Sequence, residues 1–356
     1  MEALPWKKEL SSAVRNLEQL ERHLSLTEEE VAFFERRKEE RPLPFQVTGY
    51  YLSLMTGIPD DPVRKQCIPR AAEFLRFPGE TDDPLHEGEY SPLPRLVRRY
   101  RDRALIRVND SCAVYCRHCF RRCFTGGAAG AISRKEVDAI AVYLRNNTEI
   151  KEVLLSGGDP LLLDDHRLEG LLAKIRYERP DLLLRLATRT PVTLPSRITG
   201  DLVSLLRGYF PLWVVTQFNH PAELTARSSA AMAAFREAGI PCLNQAVLLR
   251  GVNDSADVLE TLFRGLALQG IKPYYLFQGD LAEGTGHFRV PLRVGWSIIE
   301  ELRLRLSGLA LPVYAVDLPG GGGKIRLEKD HLIKETEDCY VFRNIEGKEY
   351  TYPKED

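Results

Sequence analysis

The run Cys112-Ala-Val-Tyr-Cys116-Arg-His-Cys119 sets three thiols at C-x3-C-x2-C spacing, with Cys123 four residues on. Thiolates are soft ligands suited to iron–sulfur clusters, zinc or copper. On a four-iron cubane, three cysteines leave one iron without a protein ligand, so that iron can bind a reactant. The alternative is a structural zinc ion completed by Cys123 or His118; such sites generally show two separated pairs, and the sequence has no second pair. Another candidate lies near the C-terminus, where Asp317-Leu-Pro-Gly320-Gly321-Gly322-Gly323-Lys324 puts a lysine behind four glycines. A P-loop would need glycine at Leu318 and a hydroxyl at Ile325. A lysine amine at a strand end can hold a carbonyl cofactor covalently and reversibly. Glycine tolerates many backbone conformations and would let that lysine swing. Finally, Arg95, Arg98, Arg99, Arg101, Arg103 and Arg107 crowd one segment, and guanidinium groups bind phosphate in bidentate fashion.

These residues need a scaffold. From Ala104 on, short apolar strands at 104–108, 152–155, 183–187, 212–216, 242–248, 273–277 and 312–316 alternate with helical stretches near 134–146, 165–177, 196–207, 222–238, 256–268 and 292–307. Such alternation predicts parallel strands with helical crossovers, in a partial TIM-like barrel whose chemistry gathers at the C-terminal strand ends. The cysteines follow the first strand, Ser156-Gly157-Gly158-Asp159-Pro160 ends the second, and the glycine run follows the last. Upstream, Thr27 and Glu30 form a capping box for a helix that Pro42 and Pro44 end. A second helical stretch is expected over 46–55, and residues 58–95, rich in Pro, Asp and Glu, read as a wrapping segment. The expected division is a helical extension (1–95), a core barrel (96–310) and a lysine-bearing C-terminal segment (311–356).

The 356 residues carry 49 basic and 50 acidic side chains, a net charge of −1, with 44% apolar and 28% charged types. That balance excludes a disordered tail, a fibre and a polycation built for nucleic acid. No apolar run approaches the roughly 18 residues of a membrane span, and the N-terminus lacks a signal core. Seven cysteines, an odd number, argue against a disulfide framework. The expectation is a cytoplasmic protein with neither membrane nor nucleic-acid partner.

The cysteine spacing after the first strand, with the glycine stretch one unit later, resembles the radical S-adenosylmethionine superfamily. Joined to Phe120-Arg121-Arg122 and the terminal Gly-Lys run, it resembles the lysine 2,3-aminomutase family. Arg99-Tyr100-Arg101-Asp102-Arg103, Arg189-Thr190-Pro191, Phe218-Asn219-His220-Pro221, the stretch from Asn244 to Asp254, Pro273-Tyr274-Tyr275 and His287-Phe288-Arg289 extend the likeness over roughly residues 40–350. The resemblance implies an α/β partial (β/α)6 barrel of the radical S-adenosylmethionine type with an N-terminal helical extension. It implies a [4Fe-4S] cluster on Cys112, Cys116 and Cys119, and S-adenosylmethionine near Gly157, Gly158 and Asp159. It further implies pyridoxal phosphate on Lys324, contacted by Arg99, Arg103 and Gln245, and a reductant of flavodoxin or ferredoxin type. Arg121 would hold the substrate carboxylate, and Asp280 with Asp317 its distal ammonium. The implied reaction moves the 2-amino group of L-lysine to carbon 3, giving β-lysine, with arginine or ornithine as alternative substrates. The short length also resembles relatives that supply β-lysine for modifying elongation factor P. The chain lacks the cysteine-bearing C-terminal extension of the longer enzymes, so no structural zinc is expected, and homo-oligomerisation is left open.

Overall fold

The computed structural model describes residues 4–40, 42–328 and 331–354. Its main sheet has nine strands: β1 (Leu96–Val97), β2 (Arg103–Asn109), β3 (Glu152–Gly157), β4 (Leu183–Ala187), β5 (Leu212–Thr216), β6 (Cys242–Leu248), β7 (Lys272–Gln278), β8 (Val313–Leu318) and β9 (Gly323–Arg326). They lie in chain order. From β2 to β8 every neighbour is parallel, whereas β1 and β9 join the two edges antiparallel. Helices 134–146, 165–178, 200–207, 226–237, 256–268 and 292–305 fill the six connections between the parallel strands. This is the expected (β/α)6 core with a closing seventh strand. No helix among the described residues is long and apolar enough to cross a membrane.

In β2, β4 and β6 buried and half-buried side chains alternate, one face against the helices and the other into the lumen. In β2, Ala104, Ile106 and Val108 are buried among apolar neighbours while Arg103, Leu105 and Arg107 are half-buried. The facing helix 134–146 buries Val137, Ile140, Ala141 and Leu144 and starts at a Ser133–Glu136 capping box. Strand register carries the lumen face across the sheet: Arg103 lies beside Glu152, Arg107 beside Ser156, Gln245 beside Tyr275, and Tyr275 beside Val313.

The glycine run is part of the sheet. It makes the turn of a β8–β9 hairpin, with Gly320, Gly321 and Gly323 at φ +66°, +73° and +86°, and it pairs Lys324 directly opposite Asp317. A left-handed backbone is open to glycine at little cost. The segment entering β2 closes the gap between the first and last strands. There the Tyr100 hydroxyl accepts the Lys324 N–H at 3.0 Å, and Arg99 Nε donates to the Gly321 carbonyl at 3.2 Å.

The N-terminal segment packs into the same core, through Phe33, Phe34, Phe45 and Val47. Thr27 and Glu30 form their reciprocal cap. Helix is confined to Gly49–Leu52 within the expected 46–55 stretch, because Val47 pairs with Val14 and keeps the chain extended up to Thr48. Beyond β9, strands β10 (Leu332–Glu335), β11 (Cys339–Arg343) and β12 (Glu349–Pro353) form a separate antiparallel sheet.

Candidate active site

The cysteine loop leaves β2 without regular structure and is held from outside by the N-terminal segment. Gln46 Nε2 donates to the Cys112 carbonyl at 2.9 Å, and the Arg117 N–H donates to the Gln66 carbonyl at 2.8 Å. Arg117 is fully buried and ion-paired with Glu73 at 2.6 Å. From inside, the glycine stretch braces the loop: the Gly158 N–H donates to the Asn109 carbonyl at 2.5 Å and the Asp159 N–H to the Ser111 carbonyl at 2.9 Å. A Cβ on Gly158 would lie 2.5 Å from the Ser111 oxygen, so glycine is required by backbone approach alone. The Asp159 carboxylate accepts from Thr188 Oγ1, the Arg189 N–H and the Leu161 N–H at 2.7, 2.8 and 3.0 Å. It is therefore filled by its own loops.

Burial, then the Asp159 charge and the neighbouring thiols, push the Cys112 thiol upward, and burial with Cys116 does the same to Cys119, which places the three cysteines within electrostatic reach of one another. Among the described residues, no three His, Cys, Asp or Glu side chains converge tightly enough to hold a single metal ion. Ligands of one zinc ion crowd at about 2.3 Å around a shared centre. Ligands on separate irons of a cubane need not converge in this way, and the Cys112-x3-Cys116-x2-Cys119 spacing on one loop is of the kind that suits such a cluster. The alternative fourth ligands are otherwise placed: His118 Nε2 contacts Gln217 and Asn219 at 3.2 and 3.3 Å, and Cys123 is exposed beside Asp83 and Glu87. Arg189 Nη1 donates to Cys116 Sγ at 2.7 Å, and its other donors reach Tyr51, Gln66 and Glu223.

Across the lumen, Lys324 Nζ lies 4.8 and 4.2 Å from the ring centroids of Tyr275 and Phe277 and 3.9 Å from Asp317. Burial pulls its pKa down, against the opposing carboxylates Asp317 and Asp280. A depressed amine is a better nucleophile towards a carbonyl. Around it, Arg99 Nη2, Arg103 Nε and Arg185 Nε are buried donors without a hydrogen-bond partner. Unfilled guanidinium donors beside a reactive amine suit a phosphorylated aldehyde. Arg103 also stacks on Tyr100 at 4.2 Å, and Gln245 faces the lumen beside Tyr275.

Asp280 follows β7. Its carboxyl is pushed up to about 7, first by burial and then by the Asp317 charge, while Lys324, Arg121 and Arg99 pull it down. The two carboxylates, the lysine and Arg121 thus share one electrostatic neighbourhood. Arg99 Nη1 is 4.0 Å from Asp317. Arg121 pairs with Glu87 at 2.5 Å and reaches Ser156 Oγ at 3.2 Å.

Tyr100 and Tyr275 lie in stretches that carry the family likeness but have no role assigned from sequence, and Arg185, Phe277 and Glu87 are not marked by sequence at all. Period-two spacing along β7 links Tyr275 to Phe277 and was a usable signal. Glu87 offers none, since it is one acid in an acidic segment.

A Lysine-2,3-aminomutase family model matches residues 299–356, and a Radical SAM superfamily model matches residues 106–263. The chain is 42% identical over 348 residues to the L-lysine 2,3-aminomutase of Clostridium subterminale, covering 98% of this chain and 83% of that protein. It is 41% identical over 352 residues to the L-lysine 2,3-aminomutase of Bacillus subtilis (strain 168), covering 98% and 74%. Against the glutamate 2,3-aminomutase of Clostridioides difficile (strain 630) the identity is 38% over 347 residues, covering 96% and 81%. With a radical S-adenosylmethionine core and relatives alike over almost its whole length, the chain belongs to the lysine 2,3-aminomutase family.

Proposed function

We propose that this protein is an isomerase that moves the 2-amino group of L-lysine to carbon 3, yielding β-lysine. The observation that carries the substrate choice is the pairing of Asp280 with Asp317 beside Lys324, with Arg121 in the same electrostatic neighbourhood. A lysine has a carboxylate at one end and an ammonium at the other. Arg121 would take the first and the two aspartates the second. A glutamate side chain would bring a third carboxylate to that pair, which is strongly repulsive. Sequence identity alone does not separate lysine from glutamate relatives; the charges do.

Cys112, Cys116 and Cys119 would hold the [4Fe-4S] cluster, and Lys324 would hold pyridoxal phosphate, with Arg99, Arg103 and Gln245 around it. When bound, the cluster with S-adenosylmethionine supplies reversible hydrogen abstraction, and pyridoxal phosphate supplies the carbonyl that carries the migrating amine. The remaining work falls to the chain. Tyr275 and Phe277 exclude water around Lys324. Asp317, paired opposite Lys324, is placed to neutralise that amine whenever it is charged. Gly157 and Gly158 bring the second loop against the cysteine loop, and Asp159 braces it from behind, so that S-adenosylmethionine would meet a preformed wall. A one-electron reductant of flavodoxin or ferredoxin type completes the reading.

The test is anaerobic incubation of reconstituted protein with lysine, S-adenosylmethionine, pyridoxal phosphate and dithionite. β-Lysine is the expected product. Turnover of glutamate, arginine or ornithine in its place would overturn the substrate assignment.

A further inference from the structure

The strap of residues 77–91 contributes a side chain to the site that the reaction chemistry does not call for. Glu87 reaches Arg121 with both oxygens: Nε donates to Oε2 at 2.9 Å and Nη2 to Oε1 at 2.5 Å. Glu87 is itself fixed. Its N–H donates to Asp83 Oδ1 at 2.9 Å, and its carbonyl accepts from Ser91 Oγ at 2.6 Å. The strap is anchored on the loop that carries Asp280, through the Thr81 N–H to the Leu281 carbonyl at 2.9 Å and the Glu283 N–H to the Thr81 carbonyl at 3.0 Å.

We propose that Glu87 is a positioning residue: it locks the Arg121 guanidinium so that its free donors face the substrate carboxylate. This rests on the reading of Arg121 as the carboxylate ligand. A guanidinium has five N–H donors. Glu87 takes Nε–H and one hydrogen of Nη2, and Ser156 Oγ takes one of Nη1. One hydrogen on each terminal nitrogen is left, enough for a two-point grip on a carboxylate. The Phe120 ring, 4.6 Å from the guanidinium carbon, restrains the group on a further side. Glu87 also holds Arg121 back from Asp280, which feels its charge. Released, Arg121 would turn to that carboxylate and neutralise the pocket end meant for the ammonium. Anchoring the strap beside Asp280 ties the two ends of the substrate site to one length of chain.

The test compares Glu87→Gln, Glu87→Asp and Arg121→Met in reconstituted enzyme, by lysine KM and kcat and by calorimetric lysine binding without reductant. Glu87→Gln should raise KM and Kd for lysine about tenfold, the loss of one charge-assisted contact, with kcat within about twofold. Glu87→Asp should recover part of that affinity. 1,5-Diaminopentane, which keeps the ammonium end but has no carboxylate, should inhibit wild type and Glu87→Gln equally. Tighter lysine binding in Glu87→Gln would make Glu87 a competitor for Arg121 and overturn the proposal, as would unchanged binding. If Arg121→Met leaves lysine affinity intact, the reading of Arg121 fails; if only the Glu87 variants do so, the positioning role alone fails.

Discussion

Replacing Asp280 with asparagine removes a charge that the folded chain holds at a cost. The carboxyl rises from 3.8 to about 7 on folding. Each unit corresponds to about 1.4 kcal/mol, so taken in full the ionised group would destabilise the fold by about 4 kcal/mol above pH 7. Asp280 keeps a part-exposed face on the lumen, and water there screens the charge, so about 2 kcal/mol is the working figure. The sign is fixed by the direction of the shift. An acid whose folded pKa is raised destabilises the chain fully above the folded value, and the effect fades as pH falls through 7 towards 4. Anaerobic thermal melts of the substrate-free enzyme should therefore show Asp280→Asn melting about 3 °C higher than wild type at pH 8. The gap should narrow by about half at pH 5.5. Lysine turnover should collapse in the same variant, a stability gain bought with function. A variant that melts lower at pH 8, or whose gain is the same at both pH values, would refute the claim that this carboxylate is held under strain beside Asp317.

Further outcomes follow from other contacts. Lysine KM and Kd should climb as pH drops below about 7, where Asp280 takes up a proton, and this limb should be absent when the weakened lysine binding of Asp280→Asn is followed by calorimetry across pH. Lys324→Ala should fold and keep its iron but lose the visible absorbance that added pyridoxal phosphate gives the wild type. Gly158→Ala would press a Cβ onto the Ser111 carbonyl, so bound iron and melting temperature should both fall; Gly200→Ala, at an open helix start, should change neither. Tyr100→Phe removes the acceptor for the Lys324 N–H and should cost about 1 kcal/mol in a denaturant melt.

The strands were legible because each is short, apolar and bounded, and all seven parallel strands lie where alternation put them. The cysteine loop was legible because its ligands are close in sequence. What stayed hidden was non-local or depended on backbone shape. A glycine run reads as a flexible connection until its positive φ values make it a hairpin turn, so β9 was not foreseen. Glu87 meets Arg121 across 34 residues of chain, and no local pattern marks such a pair. Arg185 looked like any polar position in a strand; only the register turned it towards Lys324. The Asp280–Asp317 pair entered through resemblance alone, since nothing in either local stretch announces that two loop acids will meet.

The β8–β9 hairpin makes arithmetic part of the reactive apparatus. Side chains on a strand change sides at every residue. Lys324 faces the lumen because the turn brings it into line with Asp317. A lineage can change which residues occupy that turn so long as φ values are tolerated, but adding or losing a single one would rotate Ile325 inward and send the amine outside. Alignments of related chains should accordingly show drift in the turn's composition alongside a fixed count between Asp317 and Lys324.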